Sequence, residues 1–154
     1  MSKTLCEICG NGISLSARKC PFCGTSLEET EKKVQLALSK TFSSRVVNIE
    51  QGLPFVETAI KRMEQAILEG RQQNYQALIF IHGYGSSGKG GAIRRESRKV
   101  LDYMCSQKEI KDYIFGENFS RHNGKTRDYI RRYPELGKDR NLGKSNKGIT
   151  IVFL

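Results

Sequence analysis

Four cysteines offer the most specific chemistry in the chain. Cys6-x2-Cys9 and Cys20-x2-Cys23 form two hooks separated by ten residues, and each hook ends in a glycine, Gly10 and Gly24. Two residues between the thiols let the chain curl until both sulfurs face one ion, and the glycine relieves the backbone as it turns away. This is zinc-ribbon spacing. Four thiolates complete a closed tetrahedron with no position left for water, so a Zn²⁺ held by Cys6, Cys9, Cys20 and Cys23 is expected to be structural. Disulfides are disfavoured in a reducing cytosol, and a redox pair is disfavoured because the motif occurs twice without a βαβ context. A module of roughly twenty-five residues buries too little apolar surface to stand alone, so the metal must supply much of its folding free energy. Cys105 has no partner nearby and follows Val100, Leu101 and Met104 on a predicted helix, which reads as a buried or half-buried thiol.

The second chemical feature is glycine-rich. Residues 83–91 hold Gly83, Gly85, Gly88, Gly90 and Gly91, with Tyr84, Ser86, Ser87 and Lys89 between them, and lead into a predicted helix. Backbone N–H groups exposed at such a turn bind anions. Lys89, Arg94 and Arg95 add positive charge that favours phosphates without reading sequence. Arg98 and Lys99 fit a solvated helix face equally well. His82, at the end of the strand before the loop, can contact phosphate or shuttle a proton near neutral pH, or can simply anchor the loop. Gly83-x4-Gly88-Lys89-Gly90 comes within one residue of a P-loop, which suggests nucleotide or phosphate binding. The hydroxyl residue that would bind Mg²⁺ after the lysine is replaced by Gly90, and no later apolar strand ends in Asp, so this reading ranks lower.

The elements that must position these residues follow from periodicity. Arg45 to Ile49 reads as a strand, Gln51 to Pro54 as a turn, and Pro54 suits the first position of a helix. That helix aligns Val56, Ala59, Ile60, Met63, Ala66 and Ile67 on one face and is expected to end at Gly70. Ala77 to Ile81 is an uninterrupted apolar run, as expected of a central strand covered on both faces. A second helix spans about Ala92 to Ser106, a strand lies near Asp112 to Phe115, and a closing strand runs from Ile149 to Leu154. The order is β-α-β-α-β-β, an α/β (α+β) domain over 45–154. It is preceded by the ribbon at 1–27 and a helical linker at 28–44.

Segment 117–147 is too long for a plain connection. It is basic, with Arg127, Arg131 and Arg132 as the chosen contact residues and Tyr129 and Tyr133 interleaved; Thr126 to Tyr133 reads as a short helix. Basic residues with accessible aromatics suit single-stranded RNA, while the alternative has the tyrosines packing the insert onto the sheet. The whole chain carries 26 Lys and Arg against 16 Asp and Glu, a formal charge of +10, and such an excess is relieved by an anionic partner. Nucleic acid fits that role, RNA ahead of DNA. No apolar run approaches the ~20 residues of a membrane span and no secretory stretch opens the chain, so a cytoplasmic location without membrane contact is expected.

Over residues 45–154 the sequence resembles the Smr (small MutS-related) family. The resemblance rests on Val47-Asn48-Ile49-Glu50-Gln51-Gly52-Leu53-Pro54, on His82-Gly83-Tyr84-Gly85 after the apolar strand, on Gly91-Ala92-Ile93-Arg94, and on the terminal Gly148 to Leu154. It implies a small four-stranded mixed sheet with two helices, similar to the C-terminal domain of bacterial translation initiation factor 3. It also implies binding of DNA or RNA, nuclease activity in several members, and work on or near ribosomes in some. Members that cleave commonly have Asp-Leu-His-Gly at the end of the first strand. Here Asn48 stands at the Asp position and no His is nearby, so cleavage would rest on His82 and Glu50. The leading expectation is a nucleic-acid-binding adaptor associated with RNA or the ribosome; the alternative is a structure-selective endonuclease.

Overall fold

In the computed structural model, residues 3–6, 8–14, 17–24, 42–85 and 90–154 are described. The expected helical linker, apart from its last few residues, and Ser86, Ser87, Gly88 and Lys89 of the glycine-rich loop lie outside them. The chain divides into two units, Met1–Thr41 and Phe42–Leu154.

The first unit is built on a hairpin of β1 (Lys3–Leu5) and β2 (Gly12–Ser14), paired antiparallel with Thr4 opposite Ile13. Among the described residues its buried core consists of Cys6, Ile13 and Cys20, with Cys9 packed beside them. Gly10 and Gly24 adopt φ of 71° and 74°. Their N–H groups donate to the carbonyls of Cys6 and Cys20 at 2.7 and 2.9 Å, closing the two hooks in the conformation their spacing predicts.

The second unit contains a four-stranded mixed sheet in the order β3 (Ser44–Asn48), β4 (Ala77–Ile81), β6 (Ile149–Phe153), β5 (Asp112–Phe115). β3 and β4 are parallel, and β6 runs antiparallel to both its neighbours. Pairing begins at Ser44, one residue earlier than expected. Three helices accompany the sheet: α1 (Val56–Gln72), α2 (Ala92–Ser106) and α3 (Gly124–Arg132). Two were implied by the resemblance, and the third is the short helix read in the insert, started by Asn123, whose side chain accepts from the Thr126 N–H.

Two details of α1 differ from the sequence reading. Pro54 precedes the helix rather than opening it, because Phe55 is the cap. Gly70 does not end it: a side chain there would meet Leu154 at 2.8 Å, so glycine serves close packing. Termination falls to Asn74 at φ 58°, with Tyr75 N–H donating to Gly70 O and Asn74 N–H to Arg71 O. That pair of bonds satisfies carbonyls the last turn leaves open. Lys108 at φ 60° ends α2 in the same way.

The central strands are buried on both faces. Leu78, Phe80 and Val152 face α1 and α2, meeting Met63, Ala66, Ile67, Leu101 and Met104. Ala77, Ile79, Ile151 and Phe153 face the opposite way, and there the insert covers them with Phe119 and Leu136. Tyr129 stacks on Phe153 with ring centroids 3.6 Å apart, and Tyr133 meets Phe42 at 5.0 Å. The insert is therefore a structural layer, and the packed alternative holds for both tyrosines. Cys105 is half-buried at the edge of the first core.

Truncating a fully buried insert residue should thus cost as much as truncating the core between sheet and helices. Phe119→Ala is expected to lower unfolding free energy by roughly 3–5 kcal/mol, whereas Val46→Thr, at a half-exposed site, should change it by no more than about 0.5 kcal/mol. Urea unfolding of both variants checks this, and equal stabilities would show that the insert is not part of the core.

Candidate metal centre and nucleic-acid interface

The four thiols of the first unit converge. The sulfurs of Cys6, Cys9, Cys20 and Cys23 all lie within 4.8 Å of one another. Cys6 Sγ is 3.7 Å from Cys23 Sγ and Cys9 Sγ is 3.6 Å from Cys20 Sγ. These separations are far too long for disulfides. A tetrahedron with metal–sulfur bonds of ~2.3 Å has edges of roughly 3.8 Å, so the donor set fits a tetrahedral ion. With two cysteines and one isoleucine as the core among the described residues, an ion held by the four thiols would add much of the cohesion.

In the second unit Glu50, His82 and the described part of the glycine-rich loop lie at the ends of β3 and β4, while Arg127, Arg131 and Arg132 lie on α3. His82 is buried, and both ring nitrogens are occupied: Nδ1 lies 2.8 Å from Gly83 O and Nε2 2.9 Å from Thr150 Oγ1. A carbonyl only accepts, so Nδ1 has the proton and the Thr150 hydroxyl donates to Nε2. Burial pushes the imidazole pKa down, more strongly than the Gly83 hydrogen bond raises it, and Arg98 and Arg94 lower it further. Glu50 is held by its turn, its N–H donating to Asn48 Oδ1 at 3.1 Å. Gly83, at φ 67°, lies so close to the Glu50 carboxylate that a side chain on it would collide with those oxygens. His82 N–H and Gly83 N–H both donate to Gly148 O, at 3.0 and 3.1 Å.

Three loop glycines are thus required by the backbone. Besides Gly83, Gly85 has φ of 86° and a Cβ on it would meet Gly91 N at 2.8 Å. Gly90 has φ of 82°, and a Cβ on it would meet the Arg94 guanidinium at 3.0 Å. The approach of Gly85 to Gly91 brings the two ends of the loop together at the start of α2.

Arg94, expected to serve phosphates, has internal work, and so does Arg98. Arg94 donates to Glu117 Oε1 at 2.9 Å and to Lys147 O at 3.1 Å, with its guanidinium 5.1 Å from the Tyr84 ring. Arg98, one turn on, reaches the same Glu117 oxygen at 2.5 Å and lies 3.7 Å over Phe115. Burial favours the protonated form of Glu117, but the Arg98 hydrogen bond and the two guanidinium charges outweigh it and hold the pKa below the usual carboxylate range. Arg95 is exposed and donates to Gly90 O at 2.8 Å. Arg127, Arg131 and Arg132 are exposed on α3; Arg131 lies 3.7 Å from Asp128, and Arg132 5.6 Å from the Tyr129 ring.

One concavity was not anticipated. A groove of about 800 Å³ opens between the β3–β4 side of the sheet and residues 139–148 of the insert. Its floor is apolar, made by Val46, Ile79 and Ile81, and its rim includes Arg140, Lys144 and Lys147, with Asp139 the one acidic residue lining it. Lys147 Nζ sits 5.2 Å from the Tyr84 ring, on which Arg94 also bears. Among the described residues none of the three rim cations is paired with a carboxylate. The one hint in the sequence was Val46-Val47: adjacent strand residues face opposite ways, so one valine had to lie on the face away from α1. Composition of the insert identified its charge but not which cations share a cleft.

A ribbon with a four-thiol centre and a mixed α/β sheet with a basic groove define the kind of protein this is. Among solved structures the chain is similar to the Smr domain of Thermus thermophilus MutS2, at 22% identity and a TM-score of 0.44, over 71% of this chain and 96% of that chain. No family model matches the sequence, and no curated protein matches it.

The site's ionisation has a consequence for stability. Both His82 and Glu117 have folded-state pKa values below their unfolded ones, so the unfolded chain binds more protons, and the stability they add above their unfolded values is lost as pH falls through the folded ones. Unfolding free energy should decline from about pH 6.5 downward on account of His82, and again below about pH 4.5 on account of Glu117. Urea titrations between pH 7.5 and 5 on wild type and His82→Gln read the first stage; identical slopes in the two proteins would remove His82 as its source.

Proposed function

We propose that the chain is an RNA-binding adaptor in which the α/β unit takes a single strand in its basic groove and the ribbon, organised by Zn²⁺, offers a second contact surface. The observation behind this reading is the groove itself: an apolar floor beneath three cations that have no carboxylate partner among the described residues. Cations on a rim neutralise phosphates, while an apolar floor beside an aromatic ring accepts bases that have left a helix. The formal charge of +10 points the same way. RNA is preferred to DNA because Asn141, Ser145 and Asn146 bring polar groups to the same lining, where a 2′-hydroxyl finds partners. Strands exposed on a ribosome present this chemistry as well as free RNA. A cytoplasmic setting agrees with reduced thiols, and no helix among the described residues is long and apolar enough to cross a membrane.

Binding is favoured over cleavage by the histidine. With both ring nitrogens engaged and the ring buried, His82 holds the loop to β6 and has no free position from which to move a substrate proton. Glu50 faces Gly83 without a histidine partner. Zinc is favoured as the metal because four thiolates with tetrahedral spacing suit it.

Two measurements test the proposal. Arg140→Ala, Lys144→Ala and Lys147→Ala combined should weaken single-stranded RNA binding and make its log–log salt slope shallower by roughly 0.7 for each phosphate no longer neutralised. A triple Arg127, Arg131, Arg132 to Ala variant removes equal charge and should do less; equal weakening would indicate a diffuse basic surface, and a greater effect would move the site to α3. For the metal, elemental analysis should find one zinc per chain. A chelator should abolish amide protection over residues 3–24 while leaving unfolding of 42–154 unchanged; protection that survives complete metal removal would refute a structural role.

A further inference from the structure

The turn that leaves β3 holds two large apolar side chains almost wholly in water. Leu53 is 92% exposed and Phe55 85%, above any other large apolar residue described. A connection that only reverses the chain would present polar residues here. The turn is also fixed in shape. Gly52 and Leu53 have φ of 80° and 49°, Leu53 N–H donates to Glu50 O at 3.0 Å, and Arg62 donates to Gln51 O at 2.7 Å and to Ile49 O at 3.4 Å. Leucine in the left-handed region is held there against its preference. The result is an apolar tip presented in one geometry, with Arg62 beneath it.

The base of this tip joins the groove. Glu50, whose carbonyl receives the Leu53 N–H, lies against Gly83, and Gly83 lines the groove with Val46 and Lys147. A strand whose phosphates follow the rim would therefore run past the tip at that end.

We propose that Leu53 and Phe55 form a wedge that stacks against the last base pair of an RNA helix where a single strand leaves it and enters the groove. The ligand class is thus a junction between helix and single strand. Phosphate contacts on the rim set position without distinguishing one ligand shape from another. An apolar side chain pressed into a base step separates stacked bases, and a phenyl ring offers a face to whichever base is left exposed. Selection of the junction falls to the tip, and attraction to the rim. This inference rests on the groove binding RNA.

The test uses the full chain with its metal, and a Leu53→Ser, Phe55→Ser double variant, whose stability should match wild type because both side chains are exposed. Two RNA probes are compared, a single strand and a hairpin bearing that strand as a tail, with 2-aminopurine at the base pair nearest the tail. Wild type should prefer the tailed hairpin and raise the 2-aminopurine fluorescence. The double variant should bind the plain strand with unchanged affinity and salt slope, bind the tailed hairpin roughly ten-fold more weakly, and leave the fluorescence low. Equal affinity of wild type for the two probes, or equal weakening on both in the variant, would overturn the wedge and leave the groove standing. Concentration-dependent dimerisation that the variant abolishes would assign the tip to protein contact and likewise overturn it. Failure of wild type to bind either probe would overturn the groove reading first, and the wedge with it.

Discussion

Strands β4 and β6 are buried along both faces, and that requirement for two covering layers organises everything else in the second unit. One face takes α1 and α2. The other has no helix from the β-α-β framework available to it, so the segment between β5 and β6 must supply the layer, through Phe119, Leu136 and the stacked Tyr129. The length of that segment follows from the area it covers. Gly116 permits it to start where it does, because any side chain there would run into the Asn146 carbonyl and the Ile149 side chain.

The cover is incomplete, and the candidate site lies in the part left open. The insert shields β4, β6 and β5 but not β3, which leaves Val46 half-exposed and a basic groove beside it. The cations divide accordingly. Arg94 and Arg98 share Glu117 and tie α2 to the turn after β5, Arg62 holds the turn after β3, and Lys125 pairs with Asp112 at 2.8 Å. These belong to the fold. Arg140, Lys144 and Lys147 do not, and Arg94 connects the two groups by holding the Lys147 carbonyl while its guanidinium bears on Tyr84. A count of basic residues cannot separate them, since the distinction is which cation finds a carboxylate or a backbone carbonyl to hold.

The two units obtain their stability by different routes. The larger buries two apolar clusters on either side of a sheet. Among the described residues the smaller has a core of three, so a metal held by the four thiols would supply much of its cohesion.

Much of this was legible in the amino-acid order. The spacing of Cys6, Cys9, Cys20 and Cys23 sufficed to bring four sulfurs together, because hooks of that size close locally. The apolar run 77–81 announced a strand buried on both faces, and the 3.6-residue period placed Ala59, Met63, Ala66 and Ile67 on one side of α1; both are local patterns with a single packing solution. The expected loop histidine was in place, but its role was not legible, since the Thr150 that occupies its second nitrogen is 68 residues away. Nor were the pairing of Arg94 and Arg98 with Glu117, the packing of Tyr129 on Phe153, or the closure of a groove by Val46 and residues 139–148. Each is a meeting of segments far apart in the chain. Sequence by itself therefore determined the elements, the thiol centre and the charge, while the tertiary structure decided which charges remain available to a ligand, because availability depends on neighbours that only folding brings together.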